Sequence, residues 1–265
     1  MPDEPILSFA GHLEELRRRL AVSLLAWLLA TALCLACARQ LLAWLRLPAG
    51  DLLPAFAFFS PTEPLVAYIR VAVLAGAVLS LPVALWQLWG FVRSGLRAPE
   101  RRLGVFFIGW GSLQFAAGVL FAYAVLGPAS LRLLLGLGSR TMEPVISVDR
   151  YLSFLTGLMW WCGVAFEVPV VIALLAKVGI VTAAWLRQQR PLAILGLVIV
   201  AALVTPTTDP VNLLLLALPL VALYEVSILL ARWLHPGAAP RRSAQHPSPA
   251  RRPRTSPSRA PASRP

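Results

Sequence analysis

Between residues 20 and 231 the chain alternates long apolar stretches with short polar breaks that carry arginines. Six stretches stand out, over about residues 20–38, 71–91, 103–125, 152–176, 192–204 and 211–230. A helix needs ~20 apolar residues to cross a ~30 Å hydrocarbon core, so the first four and the sixth can span. The fifth has about 13 residues between Pro191 and Pro206, and crosses only if the bilayer thins or its ends are sheltered. Re-entrant packing is its rival. Ahead of the first stretch, Phe9, Leu13, Leu16 and Leu20 recur at i, i+4, i+7 and i+11, which predicts a short amphipathic helix leading into it. The pattern stops at the other end. Arg241 to Pro265 is Pro, Ser, Ala and Arg without apolar periodicity, the signature of a disordered basic tail.

These patterns predict an all-α integral membrane protein in two parts. Residues 1–235 form a six-span membrane domain with an N-terminal amphipathic helix, and residues 236–265 form the tail. Composition agrees: 58% hydrophobic residues, 14% charged residues and a mean hydropathy of +0.73 suit no soluble core of this length. With six spans, 18 of the 24 basic residues fall on one side and 6 on the other. The positive-inside rule then places both termini in the cytoplasm of a cell-membrane protein. The tail supplies 8 of the 18, and the asymmetry survives its removal.

Arg17-Arg18-Arg19 before an apolar run ending Ala36-Cys37-Ala38 also imitates a cleavable secretory signal. The run of about 19 residues exceeds the usual 7–15 of such a segment, which favours a retained span. The net charge of +12 is concentrated in the tail, where adhesion to anionic lipid explains it better than nucleic-acid binding.

The inventory of reactive groups removes most chemistries. Cys34, Cys37 and Cys162 lie in apolar spans, where cysteine behaves as a small hydrophobe. His12, His235 and His246 lie outside the spans, so no histidine cluster builds a buried metal site. The one lysine, Lys177, belongs to no phosphate-binding loop, and no G-x-S-x-G elbow occurs. The sequence predicts neither an enzyme nor a cofactor.

Carboxylates are what remain. Glu167 sits inside the fourth apolar run, where a charge costs roughly 3 kcal/mol on insertion scales unless it faces protein or water. Glu14 and Glu15 occupy the polar side of the amphipathic helix, and Glu100 opens the third span in Pro99-Glu100-Arg101-Arg102. Each has a local explanation too. Glu14 with Arg18 and Glu15 with Arg19 are i, i+4 pairs worth a few tenths of a kcal/mol. A proline and an acid in a first turn are ordinary helix-start chemistry.

Taken in order, the motifs say more. They run His12-Leu-Glu-Glu15-Leu-Arg-Arg-Arg-Leu20, Ser60-Pro-Thr-Glu63-Pro64, Leu85-Trp-Gln-Leu-Trp-Gly-Phe91 and Glu100-Arg-Arg102. Then come Phe121-Ala-Tyr123 with Pro128, Tyr151-Leu-Ser153, Phe166-Glu167-Val-Pro169, Arg190-Pro191, and Thr205-Pro206 with Asp209. Over about residues 8–234 this resembles the TatC family, the signal-receptor subunit of the twin-arginine protein translocase.

The resemblance implies a cupped six-helix bundle whose last two helices are short. It implies a receptor that binds twin-arginine signal peptides of folded cargo and gathers single-span TatA/TatB-type subunits into an oligomeric complex driven by the proton-motive force. In that family the acids matching Glu15 and Glu100 form the arginine-recognition patch, with an aromatic matching Phe91 beside it. The chemistry is sound, because each guanidinium presents a planar fork that one carboxylate can accept in two bonds. Glu167 would face the hollow, and Glu225 matches a further family glutamate that also reads as a structural group near a helix end. Glu63 and Asp209 fall in outward loops.

After Asp209 the pattern departs. Asn212 and Leu213 stand where relatives often show Ser and Gln, and Thr207-Thr208 replaces a shorter proline turn. Pro82, Pro169 and Pro219 would kink or tilt spans, as a curved wall requires. Two other classes explain parts of the sequence. A proton-coupled secondary transporter would place a carboxylate at mid-membrane, but no internal repeat is visible. A purely structural membrane subunit leaves Glu15, Glu100 and Glu167 without a purpose.

Overall fold

The computed structural model describes residues 9–52, 57–92, 104–138, 145–177, 179–204 and 210–234. Glu100, Asp209 and the basic tail lie outside the described residues, as does the side chain of Asn212. Helix α1 (Phe9–Ala36) joins the amphipathic lead and the first span without a break. After a turn at Cys37 comes α2 (Ala38–Arg46), then a 3-10 turn (Leu47–Leu52) in which Gly50 takes φ +46°, a region that favours glycine. The chain continues through α3 (Glu63–Val92), α4 (Gly104–Phe121), a π turn (Ala122–Leu126) and α5 (Gly127–Gly138). It ends in α6 (Val148–Lys177), α7 (Ala183–Gln188), α8 (Arg190–Val204) and α9 (Pro210–Leu234).

Among the described residues five helices are long and apolar enough to cross a membrane, and Arg190–Leu203 is a shorter apolar helix. These are the six stretches read from the sequence. At 1.5 Å per residue the 15-residue α8 is only about 22 Å long, as its proline boundaries predict. The expected shortness of the last helix does not hold. The 25 residues of α9 reach about 37 Å, because leucine-rich sequence carries the helix through Pro219 as far as Leu234.

The helices pack in a row. α1 lies chiefly on α3, α3 on α4 and α6, α4 on α6, α6 on α9, and α9 on α8. The core sits in the middle of that row, around Val71, Leu74, Leu126, Leu152, Leu155, Leu216 and Leu220. Helix α1 is peripheral: Leu24, Leu25, Leu28, Leu29 and Leu33 are all exposed, which makes sense only against lipid.

Lipid supplies no hydrophobic drive between helices, so close approach depends on small residues. Gly104, Gly111 and Gly118 recur every seven residues on the buried face of α4. A Cβ at Gly118 would stand 2.5 Å from the carbonyl oxygen of Cys162 on α6, and one at Gly163 would meet the ring of Phe115. Gly76 gives the same intimacy between α3 and Thr31 of α1, and Trp27 Nε1 donates to the Val73 carbonyl at 3.1 Å.

At the helix ends on the face opposite the N-terminus, side chains tie the helices together. At the end of α2 the Leu47 N–H closes onto the Trp44 carbonyl, and two tyrosines add to that end. Tyr123 Oη donates to the Trp44 carbonyl at 2.7 Å, and Tyr151 Oη to that of Leu45 at 2.6 Å. Pro128 lacks an N–H and so frees a carbonyl one turn earlier, which fits the widened π turn that carries Tyr123. A short bridge joins Ala57 to Ser147, with Val148 N donating to Ala57 O at 3.0 Å.

At the near end, α6 stops at Gly179, whose φ is +80°. Gly179 N bonds Ala176 O and Ile180 N bonds Leu175 O, the pairing of a Schellman stop. Thr182 then caps α7 by accepting from Trp185 N at 3.2 Å.

Candidate functional site

The polar lead of α1 meets the last turns of α3 at a cleft of about 640 Å³, lined by Gly11, Glu14, Glu15, Arg18, Arg19, Val22 and Gln87. Spacing explains its wall. Glu15 and Arg19 are four apart, and the guanidinium donates to Glu15 Oε1 from both Nε (2.9 Å) and Nη2 (2.6 Å). The third nitrogen, Nη1, reaches across to α3, where it meets the backbone carbonyl of Gln87 at 3.5 Å and its side-chain Oε1 at 3.4 Å. Gly90 makes room for this, since a Cβ there would overlap Arg19 Nη1. The predicted Glu15–Arg19 pair therefore forms, but as part of a tie between two helices. No Glu14–Arg18 pair forms among the described residues; both side chains line this cleft and an adjoining one with Arg17 and Leu25.

Phe91 is half-buried in the same final turn of α3. Next to it Trp89 is buried and stacks on Phe107 of α4, with centroids 6.0 Å apart, while Gly104 leaves space for the indole nitrogen. Packing thus anchors the strip of α3 from Gln87 to Phe91, and its polar edge faces the cleft.

Glu167 lies elsewhere, inside α6 about 15 Å along the helix axis from Lys177. Its carboxylate rests over Gly111 of α4 beside Leu85 of α3: a Cβ at Gly111 would be 3.0 Å from Glu167 Oε2 and 2.9 Å from Leu85 Cδ1. Oε1 is buried and has no hydrogen-bond partner among the described residues. The glycine that lets α4 and α6 approach also houses the carboxylate.

Glu63, Asp149 and Glu225 have partners within the chain. Glu63 accepts from Ser147 Oγ at 3.0 Å, and the same Ser147 oxygen caps α6 by accepting from Asp149 N at 3.1 Å. Glu225 pairs with Arg190 Nη2 at 2.5 Å, joining α9 to the first turn of α8. Tyr224 next to it donates to the Leu186 carbonyl at 2.8 Å. Arg70, which the sequence did not single out, stands 2.8 Å from Asp149 Oδ1 and also donates to the Asp149 carbonyl and to Ser153 Oγ. An arginine at the head of the second apolar run, directly before Val71, was the signal that could have found it. Gln87, an amide near the end of the same run, was the signal for the cleft.

Among the described residues no group of His, Cys, Asp and Glu is arranged to hold a metal ion. A multi-pass membrane protein with a guanidinium-bearing cleft at one end and a lone carboxylate inside a span is what these elements define. The family model for the Sec-independent protein translocase protein TatC matches residues 11–219. The protein of that name from Carboxydothermus hydrogenoformans is 34% identical over 89% of this chain and 97% of its own length. The one from Frankia casuarinae is 37% identical over 87% of this chain and 67% of its own. A crystal structure described as the twin arginine translocase receptor TatC superposes with a TM-score of 0.77 at 35% identity, covering 84% of this chain and 99% of that one. The chain belongs to the TatC family, whose members are components of protein translocation rather than enzymes.

Proposed function

We propose that this chain is the receptor subunit of a twin-arginine translocase, and that the α1–α3 cleft takes the paired arginines of a signal peptide. One observation supports this most strongly. Both bonds from Arg19 fall on Glu15 Oε1, and Oε2 receives none among the described residues, so the carboxylate already serves as a guanidinium acceptor with capacity left. Two adjacent guanidiniums call for two carboxylates. Glu15 is one, and Glu100, a few residues beyond the end of α3, is the proposed second, with Phe91 as the neighbouring aromatic.

On this reading the cleft is cytoplasmic, both termini lie on that side of the cell membrane, and cargo crosses folded under the proton-motive force. Arginine asymmetry supports the orientation. The single-span partner subunits are proposed to dock along α8. Leu192, Leu195, Ile199 and Leu203 are exposed along that short helix, and lipid thinned beside it favours a second helix there. Glu167 is proposed as a polar contact for a partner helix or for the inserted signal. Asp209 is proposed to lie in the loop facing away from the cytoplasm, as is Glu63.

The test is photo-cross-linking of a twin-arginine signal peptide to the full chain in membranes. Labelling should concentrate on α1 and the end of α3, and excess twin-arginine peptide should compete while a twin-lysine version should not. Equal competition by both peptides would refute the assignment.

A further inference from the structure

We infer that Arg19 is a resident occupant of the guanidinium seat: its side chain holds the place that an incoming signal arginine takes, and binding exchanges one guanidinium for another. The inference rests on the cleft being the signal-peptide site. The seat is built from three directions. Glu15 accepts from Nε and Nη2, Gln87 offers both its backbone carbonyl and its amide oxygen to Nη1, and Gly90 supplies the recess that a Cβ would fill. Each of the three guanidinium nitrogens meets at least one acceptor, as a receptor for arginine must provide.

The bonds are unequal, and that makes exchange feasible. Those to Glu15 are short, while those to Gln87 are 3.4 and 3.5 Å. Glu15 Oε2 offers a first foothold to the newcomer. Arg19, on a flexible stem at the cleft edge, can then swing away. The Glu15 and Arg19 side chains are 25% and 22% exposed, so the pair is reachable from solvent.

A resident competitor weakens every ligand that must displace it by the same factor. Affinity falls, but the ratio of arginine to lysine affinity does not change, because the displaced contact is common to both. It also gives a built-in release: when the signal leaves, Arg19 refills the seat. A residue that only braced the cleft would do the opposite, and its removal would weaken binding.

The experiment uses the full chain in lipid nanodiscs and two fluorescent signal peptides, one twin-arginine and one twin-lysine. Arg19→Gln should tighten both by a common factor of about five, the upper range for a part-exposed ion pair. Arg18→Gln, which removes the same charge from the cleft wall without emptying the seat, should change affinity by less than about twofold, and this separates direct occupancy from general repulsion. In a Glu15→Ala background Arg19→Gln should have no further effect, since the seat is gone. Weaker or unchanged binding of both peptides in Arg19→Gln, or equal tightening in Arg18→Gln, with Glu15→Ala still weakening it, would overturn the inference alone. Unaltered binding in Glu15→Ala would remove the site itself.

Discussion

Glu15 and Glu167 are carboxylates of the same chain in opposite circumstances. Glu15 stands at a helix end, part-exposed, with an arginine bonded to one oxygen. Glu167 stands within a span, over a glycine and a leucine, with one buried oxygen that no donor reaches among the described residues. The chain could have paired the second acid as it pairs Glu225 with Arg190 or Asp149 with Arg70. It did not. A group so costly to bury without a partner is explained best by a partner from outside the chain, whereas Glu15 already has one within it. On the proposed readings, recognition at the helix end would be exchange and contact within the span would be completion.

The largest expected effect separates the two regions mechanically. Gly118→Val would drive a side chain into the Cys162 carbonyl and push α4 from α6, with the Glu167 surroundings between them. Overpacking of this kind costs about 1–3 kcal/mol, so the unfolding midpoint in detergent should fall by several degrees. The cleft rests on the α1–α3 contact, so the folded fraction should still bind twin-arginine peptide. Loss of binding in proportion to the shift would show one cooperative site instead of two regions.

Next comes a dissociation of binding from transport. Glu15→Ala removes a charge-assisted acceptor, worth roughly 1.5–3 kcal/mol, and should weaken twin-arginine peptide at least about tenfold. Glu167→Ala should leave that affinity within about twofold and still impair export of a folded reporter. If both variants lost peptide affinity equally, Glu167 would belong to the recognition patch and the contrast would collapse.

A finer version concerns what Glu167 supplies. Glu167→Gln keeps hydrogen-bonding capacity and most of the volume, so it should retain more export than Glu167→Ala. If Gln is as damaging as Ala, the carboxylate must ionise. Full export in both variants would show that the residue serves packing only.

Much of this was legible along the chain because each feature rests on local physics. Apolar length gave the spans, prolines bounded α8, and the i, i+4 spacing gave the Glu15–Arg19 pair. Glu167 was conspicuous because a carboxylate in a long apolar run has few bland explanations. Contacts between distant segments were not legible. Nothing local brings Gln87 to Arg19, 68 residues away, or Asp149 to Arg70. The length of α9 was misjudged from the resemblance, although its own unbroken leucines argued for a full span. Tyr123 and Tyr151 were visible as motif residues, but their task of closing the end of α2 depends on a π turn that spacing does not reveal.

The smallest effect belongs to Glu225, an acid that sides with Glu15 in having an arginine and with Glu167 in lying within a span. Its pair with Arg190 is 41% and 43% exposed at the two side chains, at the first turn of α8 where water can reach the ion pair, so its share of stability is about 0.5 kcal/mol. Glu225→Gln should lower the unfolding midpoint by only a degree or two and leave peptide binding unchanged. Reversing both partners, Arg190→Glu with Glu225→Arg, should restore most of that loss, since the ends of α8 and α9 stay adjacent. Should Glu225→Gln instead abolish export at an unchanged midpoint, the pair with Arg190 would be a resting state. Glu225 would then join Glu15 as a carboxylate that exchanges its internal arginine for an external partner.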